Sequence, residues 1–189
     1  MDVNLEEETK RITFEYIKTS CEGYQRLLKY INGDMIGDLD LNRTKVSYLP
    51  EDLTVIGNLF LRNTPITSLP KGLKVGGHLN LSNTLITGLP EDLKVDGNLN
   101  LSNTLITSLP KDLTVGRHLD LCNTPITTLP EGLKVGANLY LYNTSIATLP
   151  KGLIVRGGLN LCSTPISNKY SEYQLKKMLP NVDGIIISN

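Results

Sequence analysis

A strict 20-residue period dominates the chain and limits what it can fold into. The pair Leu-Pro falls at 49–50, 69–70, 89–90, 109–110, 129–130 and 149–150, and Leu-x-Leu recurs in seven units, at 39–41, 59–61, 79–81, 99–101, 119–121, 139–141 and 159–161. One unit, Val75 to Lys94, reads VGGHLNLSNTLITGLPEDLK. The general form is V-x-G-x-L-x-L-x-N-T-x-I-x-x-L-P-x-x-L-x. Several columns stay in register with no insertion, the mark of a solenoid in which each unit forms one coil. Antiparallel hairpins need a turn every few residues, which this spacing does not provide.

Each column has a physical reading. Leu79 and Leu81 lie two apart, so on a strand both face inward. Thr84 closes the turn, and its hydroxyl is expected to bond backbone groups of neighbouring coils. Ile86 returns the chain to the core. Pro90 fixes its own φ and pushes Leu89 towards an extended shape, which disfavours a helix on the convex side. Leu93 and Val95 re-enter the core, and Gly76 and Gly77 permit a tight turn into the next strand. A lone unit buries too little apolar surface to offset the conformational entropy of ordering it. Stacking covers both flat faces of each coil and completes its backbone hydrogen bonds. The pattern therefore predicts seven stacked coils forming one parallel sheet. Strands are expected near 38–42, 58–62, 78–82, 98–102, 118–122, 138–142 and 158–162, with helix confined to the ends.

Outside the array the pattern changes. Residues 1–34 predict a helical hairpin, about 4–18 and 20–31, laid over the first coil as a cap. Asn4 is placed as its first N-cap, and Thr19 with Glu22 as a capping box. Tyr24, Leu27, Leu28 and Ile31 form the expected apolar face of the second helix. The solenoid is assigned to 35–168 and a C-terminal cap to 169–189. In that cap Ser171 and Gln174 fit a capping box for a helix carrying Tyr173, Leu175, Met178 and Leu179. The helix is expected to stop at Pro180, and Ile185-Ile186-Ile187 to form a final strand.

These units resemble the leucine-rich-repeat family over about 35–168. The 20-residue length and the Leu-Pro pairs are similar to the bacterial LPX-type effectors. The wording L-P-x-G-L-x-V-x-G-x-L-x-L-x-x-T-x-I resembles short repeat arrays of phage, viral and bacterial proteins. The resemblance implies a leucine-rich-repeat solenoid of the α/β horseshoe class, mostly β and without convex-side helices. It also implies protein–protein binding through the concave sheet. The resemblance to the ubiquitin-ligase effectors does not extend to a catalytic domain within this sequence, so the expectation is a non-enzymatic protein.

Composition narrows the partners. Lys plus Arg and Asp plus Glu are 19 each, for a net charge of zero, which argues against a nucleic-acid partner. No apolar run approaches the ~20 residues of a membrane span. The start, MDVNLEEETK, lacks the basic and apolar regions of a secretory leader. A cytoplasmic protein is expected; one delivered into a host cytosol or packed in a virion has the same features. Without a leader, the sequons at Asn42 and Asn143 read as accidents of the Asn-Thr column. The three cysteines, Cys21, Cys122 and Cys162, are too sparse for a disulfide framework.

No constellation reads as catalytic, metal-binding or cofactor-binding. His78 and His118 share a column two coils apart, too far for one metal ion, and read as surface histidines. Cys122 and Cys162 share another column and read as small exposed residues. The VGG and VDG turns lack the Lys-Ser/Thr ending of a phosphate loop. Another column alternates in charge: Glu51, Lys71, Glu91, Lys111, Glu131, Lys151. Skipping one coil in that column would bring like charges together. On the strand face the middle coils are uniform, with Asn80, Ser82, Asn100 and Ser102. The outer coils differ: Phe60 and Arg62 on the second, His118 and Asp120 on the fifth, Tyr140 and Tyr142 on the sixth. Tyr and Arg are frequent interface anchors, so these six residues are the expected protein-binding patch. The reading is a monomeric, non-enzymatic scaffold for a protein partner. The alternatives are a self-assembling or structural component, for instance of a virion, and a carbohydrate or small-ligand binder.

Overall fold

The computed structural model describes residues 21–180 and 182–187. Among these the chain forms a coil of short strands, all paired in parallel within one 13-stranded sheet. The sheet runs as two ladders. The first pairs Leu39, Leu59, Leu79, Leu99, Leu119, Leu139 and Leu159 in register, so seven rungs close six complete turns. The second pairs Val55, Val75, Val95, Val115, Val135 and Val155. A longer strand, Ile154–Asn160, belongs to both and joins them. No helix occurs between Ile31 and Pro165.

The sequence expectation holds for the first ladder and misses the second. Its strands are also shorter than expected, two residues such as Leu79–Asn80 rather than five. The cause is the turn that follows at once. Asn63, Asn83, Asn103, Asn123 and Asn143 all take left-handed backbone, with φ between 54° and 57°. Asn tolerates that region better than most residues, which explains the column. A second left-handed column, at Asp52, Gly72, Asp112, Gly132 and Gly152, admits only Asp and Gly. It precedes the buried Leu that leads into the Val ladder.

The core is one apolar column per inward position. Both leucines of every Leu-x-Leu are fully buried, as are Val46, Ile66, Ile86, Ile106, Ile126 and Ile146. The buried threonines correct one expectation. Thr84 Oγ1 donates to Leu81 O at 2.7 Å, within its own coil, and Thr64, Thr104 and Thr124 do the same. The hydroxyl satisfies a carbonyl that the tight turn removes from the ladder. Contact between coils falls instead to the outer asparagines: Asn123 Nδ2 donates to Asn103 Oδ1 at 3.0 Å and Asn143 Nδ2 to Asn123 Oδ1 at 2.9 Å. The alternating charges at 51–151 are exposed. Among the described residues ion pairs form only within helices, Glu22–Arg26 and Glu172–Lys176.

The first expected helix, 4–18, and Thr19 lie outside the described residues. The second is α1, Glu22–Ile31, with Cys21 in the N-cap position and no side-chain cap bond. Glu22 turns to Arg26 instead of back to the N-cap. Its buried face is Gly23, Tyr24, Leu27 and Tyr30, not the expected Leu28 and Ile31, and Ile31 is half exposed. Two tyrosine hydroxyls decide the rotation. Tyr24 Oη accepts from Ser47 N at 3.1 Å, and Tyr30 Oη accepts from Ile56 N at 3.1 Å while donating to Gly37 O at 3.0 Å. These bonds satisfy backbone groups of the first coil that lack a preceding coil. A Cβ on Gly23 would strike the Thr44 side chain, so Gly lets the helix approach this closely.

At the other end, α2 (Pro165–Lys169) has a Thr164–Ser167 capping box, a helix the sequence reading did not foresee. The expected Ser171–Gln174 box caps α3, Glu172–Met178. Only Leu175 of α3 is buried; Tyr173 and Met178 are largely exposed. The final strand is Val182–Ile186, starting three residues before and ending one residue before the expected Ile185–Ile187, and it pairs in parallel with Ile154–Asn160.

Column position therefore sets the cost of a deletion. Leu101 is fully buried, whereas Leu105 is about half exposed. Leu101→Ala should destabilise by about 2–5 kcal/mol, the range for a buried leucine. Leu105→Ala should change stability by less than about 1 kcal/mol. Urea unfolding of both variants measures the contrast; equal losses would contradict the assignment of the two columns.

Candidate functional site

The residue just before each Leu-x-Leu builds a continuous ladder of its own. Asp38 Oδ1 accepts from Asn58 N, and Asn58 Oδ1 from His78 N, both at 2.7 Å. His78 Nδ1 accepts from Asn98 N at 2.8 Å and Asn98 Oδ1 from His118 N at 3.2 Å. His118 Nδ1 accepts from Asn138 N at 3.1 Å, and Asn138 Oδ1 from Gly158 N at 2.9 Å. Each side chain thus receives a backbone N–H one coil on. His78 and His118 are half-buried acceptors in this ladder rather than the expected surface histidines. Asp, Asn and His are the types that reach this amide with an acceptor, which explains the column's composition. At its exposed start the Asn58 backbone N–H, then the Asn58 side-chain amide, hold the Asp38 carboxyl below its ordinary value.

The residue between the two leucines closes a local turn. Asn80 Oδ1 accepts from Ser82 N at 3.0 Å and from Ser82 Oγ at 2.8 Å. Asn100 serves Ser102 in the same way, at 2.9 and 2.7 Å. Asp120 Oδ1 accepts from Cys122 N at 3.0 Å. These turns hold the side chains of the strand face in fixed positions.

Four of the six residues singled out from the sequence meet here. Phe60, His118, Asp120 and Tyr140 line one shallow groove of about 310 Å³ along the first ladder. Tyr140 pairs with Asp120 in register, as the 20-residue spacing requires. Its ring lies 6.1 Å from that of His118, tilted by 41°, and its hydroxyl accepts from Asn138 Nδ2 at 2.8 Å. Arg62 and Tyr142 do not line this groove. The strands end at Phe60 and Tyr140, so both residues fall on the following turn, exposed at its edge. The groove floor also includes His78, Asn80, Asn98 and Asn100, from coils that read as featureless in sequence. Their signal was the repeat itself: they occupy the same columns as the residues that stood out.

The cysteine column is corrected as well. Cys162 is buried and Cys122 half-buried, not exposed. Burial, then the hydrogen bond to Asp120, pushes the Cys122 thiol up to about 12. Such a thiol is a packing group and a poor nucleophile.

With the two ladders, the Leu-x-Leu core and the helix-free convex side in view, the fold is that of a leucine-rich-repeat solenoid. Among solved structures, the leucine-rich-repeat domain of a Shigella effector matches with a TM-score of 0.55 and 18% sequence identity, over 88% of this chain and 86% of that one. No protein-family model and no curated protein sequence matches the chain.

Two outcomes follow from this geometry. His78→Asn keeps an acceptor for the Asn98 amide, as Asn58 does for His78, and should leave stability within about 0.5 kcal/mol. His78→Leu leaves that amide without a partner and should cost about 1–3 kcal/mol. Urea midpoints at unchanged slope measure the pair, and equal midpoints would remove the ladder's energetic role. For Cys122, the thiolate that alkylating reagents attack is scarce at all pH values well below about 12. Iodoacetamide labelling of Cys122 at pH 8 should therefore be on the order of a hundredfold or more slower in the folded than in the urea-unfolded protein. Peptide mapping of the labelled site reads this, and the folded rate should climb as pH rises towards that value.

Proposed function

We propose that this chain is a non-enzymatic scaffold that binds a protein partner through the concave parallel sheet of its first ladder. One observation carries the reading: Phe60, His118, Asp120 and Tyr140, drawn from three different coils, converge on one groove. Aromatic area with polar tips, held on a rigid lattice, is what protein interfaces use as anchors. Arg62 and Tyr142, exposed at the groove's edge, extend the patch onto the flanking turns. The scaffold acts as a monomer, without cofactor or metal. Its likeness to an effector's repeat domain favours a role in the cytoplasm, including that of a host cell.

The test starts from affinity capture of a partner by the full chain, identified by mass spectrometry. Tyr140→Ala with Tyr142→Ala should weaken binding of that partner by at least about 2 kcal/mol, near thirtyfold, with little change in melting. Lys94→Ala, on the exposed side of the second ladder, should leave binding unchanged. Equal losses from both, or none from the tyrosines, would reject the concave patch. Gel filtration with light scattering separates this reading from a self-assembling component.

A further inference from the structure

We propose that the groove is a floor of hydrogen-bond donors that takes the carboxylates of an acidic segment on the partner protein. This rests on the reading of the first ladder as the binding face and names the chemistry it recognises. The argument is an inventory of valences. His78 Nδ1 and His118 Nδ1 each accept a backbone N–H, so in the neutral ring the proton sits on Nε2, a free donor. Asn98 Oδ1 is occupied by His118 N, which leaves its NH2 group. Asn80 Oδ1 and Asn100 Oδ1 each accept twice from the following serine, which leaves theirs. Tyr140 Oη already accepts from Asn138 Nδ2, which leaves its O–H.

The fold consumes acceptors and returns donors. Among the groove side chains Asp120 is the one charged acceptor, and it lies at the Tyr140 end; Asn98 Oδ1 and Tyr140 Oη keep one neutral lone pair each. Equivalent donors on adjacent coils stand about 4.8 Å apart, the spacing of paired strands. A carboxylate has two oxygens and about four lone-pair sites, so it can take donors from two coils at once, and its charge strengthens each bond. A carbonyl or hydroxyl offers one weaker acceptor. An ammonium or guanidinium brings only donors and finds a charged partner only at Asp120.

The test uses the full 15N-labelled chain and two synthetic dodecapeptides, one alternating Glu with Ser and one alternating Lys with Ser. The Glu peptide should shift the side-chain NH2 resonances of Asn80, Asn98 and Asn100 saturably; the Lys peptide should not. The variant Asn80→Asp with Asn100→Asp keeps the Oδ1 acceptor for Ser82 and Ser102 but replaces each NH2 with a carboxylate oxygen. Asp40 and Asp120 already make the same turn in this column, so the fold is retained. This variant should bind the Glu peptide at least about tenfold more weakly and gain affinity for the Lys peptide. Failure of the Glu peptide to move these amides, or unchanged affinity in the double variant, would overturn the proposal. A dodecathymidylate that shifts the same resonances at lower concentration than the Glu peptide would reassign the donors to phosphate and also overturn it. If the captured partner is lost on Tyr140→Ala with Tyr142→Ala while the Glu peptide fails, only the donor assignment falls. If the partner is unaffected by the tyrosine and asparagine variants alike, the concave face itself is the wrong surface.

Discussion

The structure depends on each coil finding its hydrogen-bond partners in the coil before and after it. Two-residue strands leave few amides inside a regular ladder, and the remaining ones would be costly to bury unpaired. The chain solves this with three kinds of contact. Backbone ladders run through Leu39 to Leu159 and through Val55 to Val155. Side chains at 38, 58, 78, 98, 118 and 138 accept the amide one coil on. Thr hydroxyls satisfy the carbonyls lost at the turn. Among the described residues no buried side-chain polar atom lacks a partner. The period is strict because an insertion in one coil would break the backbone and side-chain ladders with both neighbours.

The same constraint explains which features could be read from sequence. Apolar columns were legible because burial selects them directly: Leu79, Leu81, Ile86, Leu93 and Val95 are all inside. The Leu-Pro pairs correctly excluded convex helices. The second ladder was not legible as a strand, since Val75 alone shows no alternation over a two-residue segment. The roles of His78 and Thr84 were missed because polar residues were judged by type rather than by what the next coil's backbone lacks. The helix Glu22–Ile31 was placed correctly but rotated wrongly. Its orientation is set by the Ser47 and Ile56 amides of the first coil, which donate to the Tyr24 and Tyr30 hydroxyls, a tertiary demand that outweighs the apolar pattern of Leu28 and Ile31.

A lattice of this kind would give the proposed binding face little freedom to adapt. Asn80 and Asn100 are tied to the turns that follow them, and His78 and His118 to the next coil. Such side chains would lose little further entropy if the proposed partner bound there, which favours affinity per contact. It also narrows the range of partners, because the floor cannot re-pack to suit another shape. The groove is shallow, so a surface segment fits it better than an enclosed small molecule.

The chemistry of that floor is a consequence of the solenoid rather than an addition to it. The amide one coil on must be met by an acceptor, so the column before Leu-x-Leu carries Asp, Asn or His at every rung up to Asn138, and Gly158 at the last rung only donates its own amide. Asp spends one oxygen and keeps another acceptor. His spends its one acceptor and keeps a donor, while Asn spends one lone pair of its neutral oxygen and keeps its two amide donors. The described coils use Asp only at the exposed start of the column, Asp38, and Asn or His at every rung from Asn58 to Asn138. Asp at each of these rungs would satisfy the same amides but stack carboxylates about 4.8 Å apart along the sheet. Neutral acceptors avoid that repulsion and leave N–H donors on the face, the feature the proposed acidic partner would meet.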